Sequence, residues 1–497
     1  MKKTDTEIPD LSKATKPSPA FIGIKLVKFA YSYFKSTFYI WILWALNPEQ
    51  VTGLLLLIAT LGLVGISAVS AIIEYYHFDF SLTTEQLEIR SGIFNRKEQS
   101  IPFQKVQQIH ISEDILHRFF GLVKIKIETA GSKAEEGLIL ALKPTLAAAI
   151  KSSIESRAEL LGEADEAPAE KEAQTLWELT TQDLFRIGIT RNHPRSALIL
   201  LGFAIGFLDD ITQLFPGYIS QDWQERLDTL LEWHFLPTLY VFVSLMTVSI
   251  AATLVITFFR HYKQRLIIDS DRWIIRSGLI ARQEWIIPLR KIHELSFNEN
   301  PFQQWIGIGQ IGIKTASSEE VGDKQKVSLP GLTRSHYEQL VKLVAPAHIQ
   351  DEIVAEYIPD QSFRWRTWIL LGVLPTLLLL LVPYASIGLR LLISGLYITL
   401  SYWFSGKLYE SYKLTEAQSQ LLIRKGYGWH SIRWTLWGKL QAAQMSRNLY
   451  EQRKNLGSII LNHGAGTLSF PFLVKKQAVS ILNRALYRIE LADKDRI

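Results

Sequence analysis

Six residues near the middle of the chain, Gly307 to Gly312, carry the spacing G-x-G-x-x-G. Glycines at this spacing can cradle a dinucleotide pyrophosphate, but only in a turn between a strand and the start of a helix. Here the glycines run into IGIKT (311–315), whose alternation has the period of a strand. The spacing therefore does not predict a nucleotide site, and we expect no cofactor.

No other constellation of catalytic or metal-binding residues is recognisable. The chain lacks cysteine and its eleven histidines are scattered, which excludes thiolate nucleophiles, iron–sulfur clusters and Cys-ligated zinc. It also lacks the H-E-x-x-H, Walker and G-x-S-x-G motifs. We therefore expect neither an enzyme nor a resident metal.

Long apolar blocks dominate the chain instead. The clearest, VTGLLLLIATLGLVGISAVSAII, carries no charge and is long enough to cross a hydrocarbon core of ~30 Å. The blocks pair into three hairpins. Several blocks contain a charged residue, such as Arg390 or Lys35, which makes them weaker candidates for a membrane span. The six predicted transmembrane helices are 29–47 with 51–73, 196–215 with 236–259, and 367–383 with 385–404.

Asp209 and Asp210 interrupt the third predicted span. Carboxylates inside a membrane are candidates for a proton or cation pathway. Alternatively, the helix ends before them and the pair lies at the outer interface, which the acidic connector that follows favours. No matching acids occur in the other hairpins, which argues against an inverted-repeat transporter. Transport or lipid translocation by the helix bundle remains the alternative function.

The distribution of Lys and Arg predicts the orientation. The tail through Lys35 contains seven lysines and three acids, whereas 209–235 contains six acids and a single base, Arg226. Basic segments stay on the cytoplasmic side, so we expect both termini and the large polar regions in the cytoplasm and the hairpins in the plasma membrane. Residues 1–19 show no apolar signal-peptide region, so the first span is expected to remain as an anchor.

The polar regions that follow the hairpins repeat one another. LEIRSGIFNRKEQSIPFQKVQQI (87–109) matches WIIRSGLIARQEWIIPLRKIHEL (273–295) at a constant offset. LLIRKGYGWHSIRWTLWGKLQAA (421–443) is a more divergent third copy, in which Arg424 and Gly426 continue the pattern. The chain therefore contains one module three times.

The glycines of the G-x-G-x-x-G segment fall inside this repeat. Gly307 matches Gly121 of the first copy, and a two-residue insertion would place Gly457 at the same position of the third. Of the three glycines in G-x-G-x-x-G, only the first then recurs. This alignment favours a turn glycine that leads into a strand.

Each copy has alternating runs such as VKIKIE (123–128), typical of half-buried strands, and ends in a helical segment, 145–161, 332–344 or 472–490. The helix can close one end of a small barrel. The predicted order is a basic cytoplasmic tail (1–28), hairpin 1 (29–76), domain 1 (77–162), an acidic linker (163–195), hairpin 2 (196–260), domain 2 (261–345), a linker (346–365), hairpin 3 (366–405) and domain 3 (406–497).

The first module resembles a known family in four stretches, Leu87–Gly92, Ile101–Val106, His117–Gly121 and Glu128–Ser132. It is similar to the bacterial pleckstrin-homology-like (bPH2) domain of membrane-flanked proteins. The second module departs from it at Gln304–Gly307, and the third matches loosely. The resemblance implies about six transmembrane helices plus three small PH-like β-barrel or β-sandwich domains, each with a C-terminal α-helix.

The same resemblance implies a binding or scaffolding role at the membrane. Members of this family are associated with cell-envelope stress and antimicrobial resistance, and often pair with a smaller one-domain PH-like membrane protein. We therefore expect membrane lipids or such a partner to be the ligand.

Basic residues recur at two positions of every module, which makes them candidate contacts for an anion, lipid headgroup or partner. They are Arg90 and Lys105, Arg276 and Lys291, and Arg424 and Lys439. The arginine is equally compatible with a structural role, in which it fixes a strand end beside a turn glycine.

The third module is the most basic, with fifteen Lys and Arg and six Asp and Glu in 406–497. Lys425 and Arg433 alternate with Trp429 and Trp434, a pattern that suits an anionic lipid surface. The same charge would also satisfy the positive-inside bias alone. Tethering to a membrane argues against nucleic acid as the partner.

Overall fold

The computed structural model describes residues 12–46, 53–92, 96–129, 137–161, 174–191, 193, 195–202, 235–269, 271–315, 327–345, 352–381 and 386–494. They form two compact units, one that runs to Ile287 and one that begins at Pro288. The boundary falls inside the second sequence repeat.

The first unit holds the first repeat and the first half of the second. Its helices are α1 (Ala20–Leu46), α2 (Gly53–Tyr76), α3 (Ile115–Phe119), α4 (Pro144–Leu161), α5 (Thr181–Ile189) and α6 (Phe235–His261). Its strands are β1 (Asp79–Leu82), β2 (Gln86–Ser91), β3 (Lys97–Pro102), β4 (Val106–Glu113), β5 (Val123–Thr129), β6 (Gly137–Leu142), β7 (Gln174–Glu178), β8 (Arg265–Asp269), β9 (Arg272–Ser277) and β10 (Arg282–Pro288).

The second unit holds the rest of the second repeat and the third. Its helices are α7 (Pro301–Ile306), α8 (Arg334–Val344), α9 (Gln361–Trp368), α10 (Leu374–Leu381), α11 (Ile387–Ser411), α12 (Leu449–Arg453) and α13 (Lys475–Lys494). Its strands are β11 (Ile292–Glu299), β12 (Gly309–Thr315), β13 (Val327–Leu332), β14 (Ile353–Tyr357), β15 (Lys413–Ala417), β16 (Gln420–Lys425), β17 (His430–Leu436), β18 (Leu440–Ser446), β19 (Leu456–His463) and β20 (Gly466–Val474).

Among the described residues, four helical segments are long and apolar enough to cross a membrane, namely Leu57–Tyr76, Phe242–His261, Gln361–Leu381 and Ile387–Ser411. The weak first span predicted at 29–47 falls within α1, and α1 packs against α2, where Lys25 forms an ion pair with Glu74. Most of the span predicted at 196–215, including Asp209 and Asp210, lies outside the described residues. Arg390 donates to the carbonyl of Leu380 at 3.1 Å, at the end of α10.

The strands of the described chain form two seven-stranded sheets and two three-stranded sheets. One large sheet has the order β6-β5-β4-β10-β9-β8-β7, and the other has the order β13-β12-β11-β17-β16-β15-β14. The small sheets are β1-β2-β3 and β18-β19-β20. Each large sheet therefore joins the second half of one repeat to the first half of the next.

The core of the first repeat lies between β1–β3 and β4–β6. Leu87, Ile101 and Ile127 are fully buried there, and α4 adds Ile150 and Ile154. The third repeat is built alike, since Leu421, Leu461 and Phe470 share a core with Ala478 and Ile481 of α13. The predicted pairing of a strand-rich unit with a closing helix is confirmed in both.

The segments predicted as linkers contain strands. β7 pairs with β8, and β14 pairs with β15. In the first repeat Thr15 forms the equivalent bridge with Phe80. Hairpins 2 and 3 are therefore each preceded and followed by two paired strands of one sheet, whose backbone groups satisfy one another's hydrogen bonds, and a single bridge takes this place at hairpin 1.

The third repeat needs no insertion relative to the others. Gly121 and Gly307 end the short helices α3 and α7 with positive φ angles of 63° and 76°, and Asn455 has a φ of 55° after α12. Asn is among the few residues that tolerate this left-handed region. The alignment of Gly457 with Gly121 was wrong by two residues, since Gly457 lies within β19.

Candidate interaction surfaces at module junctions and edges

The first junction joins β4 of the first repeat to β10 of the second. The antiparallel register pairs Arg282 with Glu113 and Ile286 with Ile109 at its two ends. Between them, the imidazole of His110 stacks on the indole of Trp285 with ring centroids 3.6 Å apart. Burial, followed by the Lys124 and Lys126 charges, lowers the pKa of His110 from its usual 6.5 to about 3.

A half-buried carboxylate reinforces this junction. Glu284 on β10 accepts from Lys151 of α4 at 2.9 Å and from Nε of Arg276 at 3.0 Å. Burial alone would raise the pKa of Glu284, but the two cations outweigh it and the pKa falls below its usual range. The carboxylate therefore stays ionised and links the closing helix of one repeat to the strands of the next.

The second junction repeats the geometry of the first. β11 pairs with β17 so that Glu299 faces His430 and Leu295 faces Trp434. At the constant sequence offsets of the repeats, Glu299 corresponds to Glu113 and His430 corresponds to Arg282. Five residue pairs are thus used in the same register twice.

Glu294 is the buried carboxylate of the second junction. Arg433 of β17 donates to it at 2.9 Å, His463 lies 3.1 Å away and Lys314 lies 3.4 Å away. Burial would raise the pKa of Glu294, but hydrogen bonds from His463 and Arg433 hold it well below its usual range. Arg433 is therefore committed to an internal ion pair and leaves the set of candidate lipid contacts.

Two strand edges occupy junction positions without a junction partner. β3 corresponds to β10 and β17, and β18 corresponds to β4 and β11. Each is the outermost strand of its three-stranded sheet among the residues that the structure describes. On β3 the residues at the junction positions are smaller or more polar than those of β10. Gln99 and Ser100 stand where β10 has Trp285 and Ile286.

The recurring arginines lie beside turn glycines, as the structural interpretation predicts. Arg90 binds Glu88 at 3.2 Å and Arg276 binds Glu284, whereas Arg424 is exposed and forms no ion pair with any described residue. Each precedes by two residues a glycine with positive φ, Gly92, Gly278 or Gly426. A Cβ on Gly426 would lie 2.0 Å from the carbonyl oxygen of Trp429, so only glycine fits this turn.

The recurring lysines each end a short 3-10 turn between the two halves of a repeat. Lys105 is exposed, and Lys439 donates to the carbonyl of Arg290 at 2.6 Å. Burial, followed by the charge of Arg290, lowers the pKa of Lys291. The structure places the lysines at equivalent positions but does not gather them into one site.

The aromatic residues of the third repeat divide into two groups. Trp434 is 2% exposed and donates to Gln420 at 2.7 Å, so its ring packs inside the protein and not against a lipid surface. Trp429 is 60% exposed in the turn between β16 and β17. Burial, followed by the charge of Arg433, lowers the pKa of the half-buried Lys425. Of the candidate lipid contacts in this repeat, Arg424 and Trp429 remain exposed.

The short helices α3, α7 and α12 were missed by the reasoning from periodicity, because five or six residues do not make an amphipathic stripe. Their capping signals were present in the sequence. The side chain of Asn300 accepts from the backbone N–H of Gln303, and the backbone N–H of Asn300 donates to the side chain of Gln303. Asn448 and Glu451 form the same pair of hydrogen bonds. In the part of the chain that the structure describes, no three His, Asp or Glu side chains are grouped to hold a metal.

Comparisons with known proteins agree with this architecture. The profile described as "Bacterial PH domain" matches residues 23–158 and 218–348. The chain is also 24% identical over 315 residues to the UPF0699 transmembrane protein YdbT of Bacillus subtilis (strain 168), a match that covers 59% of this chain and 61% of that protein. The profile spans more than half of the chain and includes membrane helices together with the strands that follow them. The chain therefore belongs to the bacterial PH domain family.

Proposed function

We propose that the chain is a multi-pass membrane scaffold whose three cytoplasmic PH-like modules bind a second membrane protein and the lipid surface. The observation that carries this proposal is the junction. Among the residues that the structure describes, one pairing with one register is used twice and has no counterpart at β3 and β18. A strand edge with unpaired N–H and C=O groups is a template for pairing with another chain.

Charge argues that the partner of β3 is not a second copy of this chain. In the junction register Arg282 faces Glu113, and the same register would place Arg96, directly before β3, opposite Arg447 after β18. Like charges directly opposite across a sheet are destabilising. The edge instead fits a strand that carries a carboxylate opposite Arg96.

A smaller PH-like membrane protein with a single module suits this edge. Its own fourth strand would supply the missing partner of β3, and its membrane helices would hold that strand at the same depth. A complex of this kind would place the chain in cell-envelope stress or antimicrobial resistance, the role that the family resemblance implies.

Charge reversal at the edge tests the proposal. We would co-purify the intact protein with a single-module PH-like membrane protein of the same cell in mild detergent. Arg96→Glu should weaken the pair about tenfold, since an attractive cross-strand contact becomes repulsive. Lys143→Glu, an equally exposed reversal beside α4, is the matched control and should leave binding unchanged.

Rescue makes the test specific. Exchange of the partner's facing carboxylate for lysine should restore binding to Arg96→Glu and weaken binding to the unmodified chain. Equal binding by Arg96→Glu and the unmodified chain would rule out pairing through β3. Recovery of no protein with a PH-like module would contradict the proposed partner class.

A further inference from the structure

Each of the three short helices, α3, α7 and α12, exposes a large apolar side chain. Phe119 of α3 is 83% exposed, Trp305 of α7 is 87% exposed and Leu449 of α12 is 78% exposed. Ile115 and Phe302 lie beside the first two and are also exposed. Isolated exposed apolar residues are common, but their recurrence on the same short element of each repeat requires a shared explanation.

In the first unit, α3 is fastened to the first turns of α1, which lie beside the end of the membrane segment Leu57–Tyr76 because Lys25 of α1 forms an ion pair with Glu74. Lys28 of α1 donates to Asp114, which precedes α3, at 3.0 Å. Leu122, directly after α3, shares an apolar cluster with Phe21 and Ile24 of α1. These contacts place α3 beside the lysine-bearing turns that precede the apolar part of α1.

In the second unit, α12 is fastened to the beginning of another membrane helix. The ring of Phe472 lies 6.4 Å from that of Tyr450 on α12 and 5.9 Å from that of Phe363 on α9. The N–H of Asp360 donates to the carbonyl of Phe472 at 2.7 Å, directly before the membrane segment that starts at Gln361. Both α3 and α12 therefore lie where a helix enters the bilayer.

The third short helix, α7, reaches the end of a membrane helix through a turn. Gln304 donates to the carbonyl of Gly428, and the ring of neighbouring Tyr427 lies 5.7 Å from Trp403 and 5.8 Å from Phe404 of α11. These aromatic rings lie near the C-terminal end of α11, close to the first strand of the third repeat. The exposed Trp305 is therefore held in the same zone.

We infer that α3, α7 and α12 are interfacial anchors whose exposed side chains, Phe119, Trp305 and Leu449 foremost, insert into the headgroup layer of the bilayer. Aromatic residues favour this layer, because their apolar rings leave water while polar neighbours stay hydrated. The occupant is the membrane itself, since all three helices contact or adjoin segments that enter it. This inference names the side chains that would make the lipid contact of the proposed function. It does not depend on the pairing at β3.

The absence of cysteine from the chain allows a direct test. Single variants Phe119→Cys, Trp305→Cys and Leu449→Cys of the full-length protein would carry a nitroxide label in nanodiscs of phosphatidylcholine and phosphatidylglycerol. Relaxation by oxygen reports lipid, and relaxation by a water-soluble nickel chelate reports solvent. Ile66→Cys on α2, within a membrane segment, is the lipid reference, and Ser152→Cys on the exposed side of α4 is the solvent reference.

We expect the three labels to show nickel accessibility several-fold below that of the Ser152 label, with oxygen accessibility shifted toward that of the Ile66 label. Nickel accessibility equal to that of the Ser152 label would overturn the inference. The replaced side chains are exposed, so the variants should keep the melting temperature of the unmodified protein. Because the discs contain no PH-like partner protein, a negative result leaves pairing at β3 untouched, and failed co-purification leaves this contact untouched.

Discussion

The glycines of G-x-G-x-x-G serve two different structural needs at neighbouring positions. Gly307 supplies a left-handed residue after α7, and open space surrounds its Cα. A Cβ on Gly309 would instead lie 2.5 Å from the ring of Phe297 on the neighbouring strand. Gly457 and Met445 stand in the same relation in the third repeat, with 2.9 Å between the Cβ position and the sulfur. The second glycine therefore makes room for a large residue on the facing strand.

Alanine substitutions separate these two needs. Gly307→Ala should destabilise the protein by about 1–2 kcal/mol, because it forces an L-residue into the left-handed region. Gly309→Ala should lower the melting temperature further, since the buried ring of Phe297 cannot move aside without overpacking the core. Thermal unfolding of both variants in detergent is the measurement. An equal or smaller loss for Gly309→Ala would contradict the packing explanation.

At the scale of the element, period-two runs in the sequence located strands well. VKIKIE and IGIKT fall within β5 and β12. The segments 145–161 and 332–344 coincide with α4 and α8 to within two residues. The junctions could not be foreseen, because pairing of β4 with β10 depends on edges some 170 residues apart in the chain, and alternation within a strand does not reveal its neighbour. In the same way, the sequence showed only that Trp434 is aromatic and Arg433 basic. Their burial depends on the pairing of β17 with β11.

His110 gives the first junction a predictable response to acid. The unfolded chain binds a proton at this residue near pH 6.5, whereas the folded chain does so only near 3. Unfolding therefore takes up a proton between these values, and stability falls as the pH drops below 6.5. The loss between pH 7 and pH 5 should be at most about 2 kcal/mol, since His110 is not fully enclosed.

Phenylalanine at this position provides the comparison. His110→Phe keeps a ring against Trp285 and removes a buried ring nitrogen that has no hydrogen-bond partner among the described residues. Melting temperatures should match or exceed those of the unmodified protein at pH 7, and the decline toward pH 5 should be shallower. Parallel declines in the two proteins would show that the His110 proton does not govern the junction.

At the scale of the whole molecule, chain order ties each repeat to the membrane helix that precedes it. α2, α6 and α11 end at Tyr76, His261 and Ser411, and the first strand of a repeat follows each within four residues. Short connections leave no room for the chain to cross the membrane again. If each hairpin enters and leaves on one side, all three repeats share that side, which the basic N-terminal segment predicts to be the cytoplasm.

Labelling of single cysteines in intact cells tests this orientation, since the chain contributes no background thiol. A membrane-impermeant maleimide should react with Gln50→Cys, between the first two helices, without permeabilisation. Ser152→Cys in the first repeat and Lys476→Cys in the third should react only after the membrane is opened, because the positive-inside rule, applied to the basic N-terminal tail, predicts that both repeats lie in the cytoplasm. Labelling of either repeat from outside would place it on the external face. Labelling of one repeat from outside and not of the other would mean that α3 and α12 do not meet the same leaflet.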